Sequence, residues 1–272
     1  MGTIYMKRAV ITGPTGSIGI ALINELEANG IEVVAVVRPG SKRADRIKES
    51  SLVKCVKCDL SNLDKLPELI PDGADVFYHF GWDGTFGDSR NNMKGQNLNV
   101  KYALDAVEAA SKLGCKTFVG AGSQAEYGRF EGKLNGSTPT FPENGYGIAK
   151  LCAGQMTRIM CQQKGIKHIW TRILSIYGPY DGEKTMVMST IDRLLKGEVP
   201  SCTKGEQMWD FLYSKDAALA MRLLGEKGID GKIYCIGSGQ ARPLKEYINI
   251  MGESIDSTIQ IGFGDIPYSP NQ

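Results

Sequence analysis

The 272 residues, 42% of them hydrophobic, suffice to bury one large core, as a single domain or a domain with a lobe. With 32 basic against 30 acidic side chains there is no one-signed field to draw in nucleic acid or an anionic membrane, which points to a small-molecule partner. No apolar run reaches membrane-spanning length, residues Met1 to Arg8 lack a signal peptide's apolar stretch so that the cytoplasm is the default location, and seven scattered cysteines fit reduced thiols better than a disulfide framework.

Arg8 to Thr12 reads as a short apolar strand. Gly13-Pro14-Thr15-Gly16-Ser17-Ile18-Gly19 follows, and then an apolar-periodic helix to about Asn29. A glycine turn between strand and helix lets the backbone approach a pyrophosphate, and the helix N-terminus offers free N–H groups at the positive end of its dipole. The spacing is GxxGxxG, not the commoner GxGxxG. On this reading Gly13, Thr15, Gly16, Ser17, Ile18 and Gly19 face a dinucleotide. A second strand, Glu32 to Val37, ends without the carboxylate that would hold a ribose 2'-hydroxyl; Arg38 follows, with Ser41, Lys42 and Arg43 close behind. A cationic, hydroxyl-bearing turn suits a 2'-phosphate and favours NADP over NAD, the alternative being a solvated basic loop.

Val53 to Cys58 makes a third strand, with Asp59 placed to cap an adenine pocket. The pair Cys55 and Cys58 has no second pair to complete four metal ligands, so no metal site is expected. After a short helical stretch, Val76 to Phe80 forms a fourth strand running into Gly81-Trp82. A large aromatic at a strand's carboxyl end faces the ligand crevice of an open α/β sheet, although a place in the core is equally compatible. Asn91 to Leu113 reads as a long helix, with Leu98, Tyr102, Leu104, Val107, Ala109 and Ala110 on its buried side. Thr117 to Ala121 is a fifth strand that delivers Ser123, and Arg129 to Pro142 is a loop.

Tyr146-Gly147-Ile148-Ala149-Lys150 then opens a helix to about Lys164. Four residues apart, the phenol and the ammonium share one helix face. The ammonium would lower the Tyr146 pKa, and the Ser123 hydroxyl could hydrogen-bond the same substrate oxygen. Ser123, Tyr146 and Lys150 are therefore the candidate catalytic set, suited to moving a proton at a carbonyl or carbinol.

His168 to Leu174 is a sixth strand. Strand and helix alternating six times predict an α/β fold, a Rossmann-type doubly wound parallel sheet covered on both faces. From Tyr177 the texture changes. Helices near Met186 to Lys196, Lys215 to Glu226 and Leu244 to Met251, with strands at Trp209 to Tyr213 and Lys232 to Ile236, are assigned to a smaller lobe over the crevice. The expected division is 1–178 for dinucleotide binding and 179–272 for substrate, with a boundary that is discontinuous in detail.

Taken in order, Thr12 to Gly19, Cys58-Asp59-Leu60, His79-Phe80-Gly81-Trp82, Asn99, Ser123 with Tyr127-Gly128, Tyr146 to Lys150, Arg172 with Tyr177-Gly178-Pro179, Trp209-Asp210-Phe211 and Ile236 to Gly239 resemble the extended short-chain dehydrogenase/reductase superfamily, in its nucleotide-sugar epimerase/dehydratase branch. The resemblance implies that Tyr146 is the acid/base, that Lys150 holds the nicotinamide ribose, and that Ser123 completes the substrate hydrogen bonds. It places Asp59 and Leu60 beside the adenine, and Phe80, Gly81, Trp82 and Asn99 along the cofactor. It puts Trp82, Ser123, Gln124, Tyr146, Ser175 and Trp209 on a nucleotide-diphosphate sugar substrate. Pairing of the two long helices across a twofold axis would make a homodimer.

Departures from the family pattern narrow the chemistry. Gln124 and Ala125 stand where sugar dehydratases carry Asp-Glu, which argues against dehydration. Ser175 replaces a usual Asn and Trp209 a usual Arg. The stretches His79 to Trp82 and Gln207 to Phe211 look most like 4-ketoreductases of nucleotide-linked deoxysugars such as CDP-abequose synthase. An NADPH-dependent 4-ketoreductase is thus the expected activity, with an NAD-dependent 4-epimerase and a non-catalytic dinucleotide sensor as alternatives. Relatives usually continue past a segment like Gly262 to Asp265, so the lobe is expected to be minimal or shortened.

Overall fold

The strand Glu32–Val37 is buried from Val33 to Val37. A continuous apolar run of this kind is what a parallel sheet covered on both faces demands. The computed structural model describes residues 5–268, so part of the N-terminal reading and the last residues of Pro267 to Gln272 lie outside the described residues. In chain order the Rossmann portion begins β1 (Arg8–Thr12), α1 (Ser17–Ala28), β2 (Glu32–Val37), β3 (Val53–Lys57), α2 (Leu66–Leu69) and β4 (Val76–His79). It continues α3 (Met93–Lys112), β5 (Thr117–Ser123), α4 (Gly145–Lys164) and β6 (Lys167–Ile173). The remaining elements are β7 (Ser175–Tyr177), α5 (Met186–Leu195), β8 (Met208–Trp209), β9 (Phe211–Tyr213), α6 (Ser214–Lys227), β10 (Ile233–Ile236), β11 (Arg242–Pro243) and α7 (Leu244–Ile255).

The seven-stranded sheet runs β10-β6-β5-β4-β1-β2-β3, every neighbour parallel. Successive side chains enter opposite cores, as the pleat requires. Ala9, Ile11, Val76 and Tyr78 pack with Leu22 and Leu26 of α1 and Met221 of α6. Val10, Phe77 and Phe118 pack on the other face with Ala106 and Val107 of α3 and Cys161 of α4. The chain leaves β1 toward β2 on one side and returns to β4 on the other. The carboxyl ends of β1 and β4 therefore flank a topological switch point, where such sheets bind ligands.

Four expectations need correction. The segment Ile233–Ile236 is not a strand of the lobe but the outer strand of the main sheet, paired with β6 from Ile233↔Trp170 to Ile236↔Ile173. Helix α6 likewise packs on α1 beneath the sheet. Both cover apolar surface that β6 and α1 would otherwise leave bare. Leu98 is exposed, and α3 instead buries Gln96, Asn99, Val100, Ala103 and Ala106 with Val107, Ala109 and Ala110. The strand expected at Trp209 to Tyr213 is split at Asp210, whose carboxylate accepts from Ser238 N at 2.7 Å and Gly239 N at 2.8 Å and so ties the chain to the loop after β10.

What remains beside the sheet is small. Helices α5 and α7 pack together, β8 pairs antiparallel with β11, and β7 pairs parallel with β9.

Candidate active site

The glycine turn between β1 and α1 divides its work among its three glycines. Gly13 has φ +68°, and a Cβ there would meet Gly81 N and Phe80 C at 2.7 Å; one on Gly19 would meet Gly13 O and Pro14 at 2.7 Å. These two serve the turn and the close packing of helix on strand. Gly16 differs, since its nearest neighbour would be Gly13 O at 3.9 Å. It is the N-cap of α1, no side chain caps that helix, and the buried Ser17 Oγ beside it has no partner. An open cradle, free first-turn N–H groups and an orphan hydroxyl fit a dinucleotide pyrophosphate.

The other residues expected near a cofactor fall in two sets. Arg38 is close enough to Asp59 to help lower its pKa, after the larger effects of the Ser61 N–H and hydroxyl, which Asp59 accepts at 3.0 and 2.8 Å. Ser41 holds the basic turn by accepting from Arg43 N at 3.3 Å. Leu60 lies against Gly81, where a Cβ would sit 2.8 Å from its side chain, and the Gly81 N–H donates to Thr12 Oγ1 at 3.2 Å. Phe80 and Ile18 pack on the core face of α1. Asn99 is buried, accepts from Asp83 N at 3.0 Å and donates to Asp83 O at 2.8 Å, and so clamps the loop that carries Trp82.

Ser123 ends β5 and caps the following turn, Gln124–Glu126. Its hydroxyl accepts from Ala125 N at 3.2 Å while Glu126 accepts its own N–H at 2.8 Å. Helix α4 begins directly against this turn. Asn144 caps it by accepting from Gly147 N at 2.9 Å, and Gly147 has no side chain because a Cβ there would collide with Ala125 O. That contact brings Tyr146 beside Ser123, whose hydroxyl helps to lower the phenol's pKa. Lys150 Nζ donates to Ala121 O at 2.7 Å and sits 3.8 Å from the centre of the Trp82 ring. Trp82 stands edge-on to Tyr146 at 6.2 Å, donates to Gln96 Oε1 at 2.9 Å and packs on the cluster of Val100, Ala103, Ala149 and Ala153.

The electrostatics depart from expectation. Burial pushes the Tyr146 phenol above the usual tyrosine value; the Ser123 hydroxyl and the Arg90 guanidinium pull it down, Glu126 pushes it up, and Lys150 is not among the causes. Burial lowers Lys150 itself to about 7, with Glu126 pulling the other way. The order of titration accounts for this: lowered to about 7, the Lys150 amine is already neutral at the pH where a phenol raised above the usual tyrosine value ionises.

Sequence reasoning missed a buried network under this turn. Glu126 accepts from Trp170 Nε1 at 3.1 Å and Arg172 Nε at 2.9 Å as well as from Ser123 N. Burial raises its carboxyl against all three donors. The Trp170 indole lies where Gly120, Gly122 and Gly154 carry no side chain. Three glycines around one buried Trp were the available signal. Arg46 was missed as well; its Nη1 donates to Thr15 O at 3.2 Å and its guanidinium stands 5.3 Å over the Tyr180 ring. Of the residues expected on substrate, Gln124 sits in the turn after Ser123, whereas Ser175 and Trp209 meet each other, Trp209 Nε1 donating to Ser175 Oγ at 2.7 Å.

Comparison with known proteins agrees with this geometry. The profile of the NAD dependent epimerase/dehydratase family matches residues 9–237. The chain is 26% identical over 262 residues to the trifunctional UDP-glucose 4,6-dehydratase/UDP-4-keto-6-deoxy-D-glucose 3,5-epimerase/UDP-4-keto-L-rhamnose-reductase of Arabidopsis thaliana, covering 90% of this chain and 39% of that protein. It is 26% identical over 281 residues to CDP-abequose synthase of Salmonella typhimurium, covering 99% of this chain and 89% of that one. The fold superposes on Thermus thermophilus UDP-glucose 4-epimerase in complex with NAD with a TM-score of 0.83 at 20% identity, covering 97% and 88% of the two chains. The chain belongs to the NAD dependent epimerase/dehydratase family, the extended short-chain dehydrogenase/reductases, and is an NAD(P)-dependent enzyme of that family.

Proposed function

We propose that this enzyme is an NADPH-dependent reductase of a nucleotide-diphospho 4-keto-deoxysugar. The observation that carries the reading is the meeting of Ser123, Tyr146, Lys150 and Trp82 at the carboxyl ends of β4 and β5, across from the open glycine turn. Gly16, Ser17 and the first turn of α1 would hold the pyrophosphate, with Arg38 and Ser41 toward a 2'-phosphate. When bound, the nicotinamide supplies the hydride that reduces the ketone carbon.

The chain's own groups do the rest. Tyr146 gives its proton to the oxygen as negative charge builds there, and the Ser123 hydroxyl donates to the same atom, a bond that strengthens in the transition state. Lys150 keeps donors beyond the one given to Ala121 for a ribose hydroxyl. Dehydration is disfavoured because Glu126, the one carboxylate of the turn after Ser123, is fully buried against Trp170 and Arg172. The smaller lobe would grip the nucleoside diphosphate.

An NAD-dependent 4-epimerase is the second reading, favoured by the likeness to solved UDP-glucose 4-epimerases. The two separate in one assay. A reductase consumes NADPH in step with added 4-keto sugar and is purified without tightly held NAD; an epimerase does the opposite. Tyr146→Phe should cost about 100- to 10,000-fold in turnover, the usual worth of a general acid, and leave cofactor binding intact. Retained turnover would reject the assignment.

A homodimer is proposed through α3 and α4, which pack side by side and expose Leu98, Ile148, Met156 and Ile159 on their outer face. A monomer by light scattering at micromolar concentration would refute it.

A further inference from the structure

Tyr146 is held between two cations, and only one of them was visible in the motif. Lys150 comes from its own helix. The other is Arg90, from the turn Gly87–Asn91 ahead of α3, with its guanidinium carbon 5.0 Å from the centre of the Tyr146 ring.

The turn that carries Arg90 is strapped on both sides. Gln96 Nε2 donates to Ser89 O at 3.1 Å and to Gly84 O at 2.8 Å, and Gly145 N at the start of α4 donates to Asn91 Oδ1 at 3.0 Å. Gly145 lacks a side chain where a Cβ would stand 3.0 Å from Arg90 O. Arg90 thus rides on backbone braced against the first turn of the very helix that presents Tyr146. Among the described residues it takes part in none of the ion pairs, and its buried Nε has no hydrogen-bond partner. A structural arginine would have found a carboxylate or carbonyl; this one has been given an aromatic face.

We propose that Arg90 is a positioning residue of the site: a guanidinium fixed on the face of the Tyr146 ring, which keeps the phenol against Ser123 and supplies the permanent positive charge that the reacting oxygen faces. Lys150 is a poor substitute for that charge. Burial lowers its amine to about 7 while one donor goes to Ala121 O and the Trp82 ring lies 3.8 Å away, whereas a guanidinium stays charged throughout. The other groups facing Tyr146 are Ser123 from the end of β5, Glu126 from the turn after it and Trp82 from the loop after β4; beneath Lys150, His79 of β4 is buried and held neutral, at about 3.

The inference rests on Tyr146 being the proton-transferring group, and its test needs neither cofactor nor substrate. Two neutral replacements, Arg90→Gln and Arg90→Met, are made in the full chain, each with and without Tyr146→Phe. Subtracting the ultraviolet tyrosinate titrations isolates the Tyr146 signal. Its midpoint should move to higher pH in both neutral variants and return toward the wild-type position in Arg90→Lys. In turnover, the limb of the pH profile that belongs to Tyr146 should move the same way, with kcat down about 2- to 30-fold, the worth of one cation–π contact.

A wild-type midpoint in either neutral variant that keeps its circular dichroism and melting temperature overturns the proposal. Failure of both to fold marks Arg90 as structural and overturns it too. Absence of NADPH turnover with every keto sugar would defeat the reductase reading while leaving the titration result standing.

Discussion

The indole N–H of Trp209 donates to the hydroxyl of Ser175 across 2.7 Å and joins two residues 34 positions apart in the chain. The pair sits in an aromatic wall, with the Trp209 ring 6.4 Å from Phe211 and Phe211 edge-on to Tyr247 at 4.9 Å.

If that wall contacts the nucleotide sugar, Trp209→Phe keeps a ring but loses the hydrogen bond. KM for the sugar nucleotide should rise about 2- to 10-fold, the worth of one net hydrogen bond, with kcat unchanged. Steady-state kinetics decide the matter. An unchanged KM would remove Ser175 and Trp209 from the substrate site.

The glycine turn allows a paired comparison. Gly16→Ala should fold and melt like the wild type but bind dinucleotide more weakly, because the added methyl enters space that the fold leaves open. Gly19→Ala should instead lose about 1–3 kcal/mol of stability, its Cβ pressing on the backbone of Gly13 and Pro14. Urea denaturation and cofactor fluorescence titration read the two properties separately. Equal dinucleotide affinity in Gly16→Ala and wild type would move the pyrophosphate elsewhere.

Arg38 and Asp59 stand at adjoining strand ends with opposite charge. Arg38→Glu should invert the cofactor preference, weakening NADPH by about 10-fold or more, as charge-assisted bonds of 1.5–3 kcal/mol imply, while sparing NADH. Dissociation constants for both cofactors test this. Parallel losses for the two would show that Arg38 holds the turn and not a phosphate.

Lys150 carries a stability prediction with a definite sign. Its folded value is lowered to about 7 from an ordinary value of 10.5, so between those limits the unfolded chain binds the extra proton and stability rises with pH. At and below neutral pH the folded chain must bury a cation, a cost that fades as pH climbs toward 10.5. Lys150→Met should therefore abolish turnover yet raise the melting temperature by about 2–4 °C per kcal/mol relieved, most at pH 6 and least near pH 10. A lower melting temperature at pH 6 would contradict the assignment of burial as the dominant influence.

Much of this protein is written locally. The apolar run Val33 to Val37, the glycine turn, the fourfold spacing of Tyr146 and Lys150, and Ser123 at a strand end were all readable, because strand period, helix period and the steric freedom of glycine act within a few residues. Leu98 shows the limit of that reasoning. An apolar residue in a helical pattern gives a face, but whether the face meets the sheet or the outside depends on how the helix is rotated against its neighbours.

The sequence by itself determined the alternating α/β order, the glycine turn between β1 and α1, the shared helix face of Tyr146 and Lys150, and Ser123 at a strand end. Only the tertiary structure decided that Ile233–Ile236 completes the main sheet, that Asn99 serves a loop, that Ser175 meets Trp209, and that Glu126 and Arg90 reach Ser123 and Tyr146 from other elements. Each of these joins residues far apart in the chain, and no local period encodes such a meeting. It follows from the order in which parallel strands lie down, since that order sets which strand ends, and hence which side chains, share one small volume.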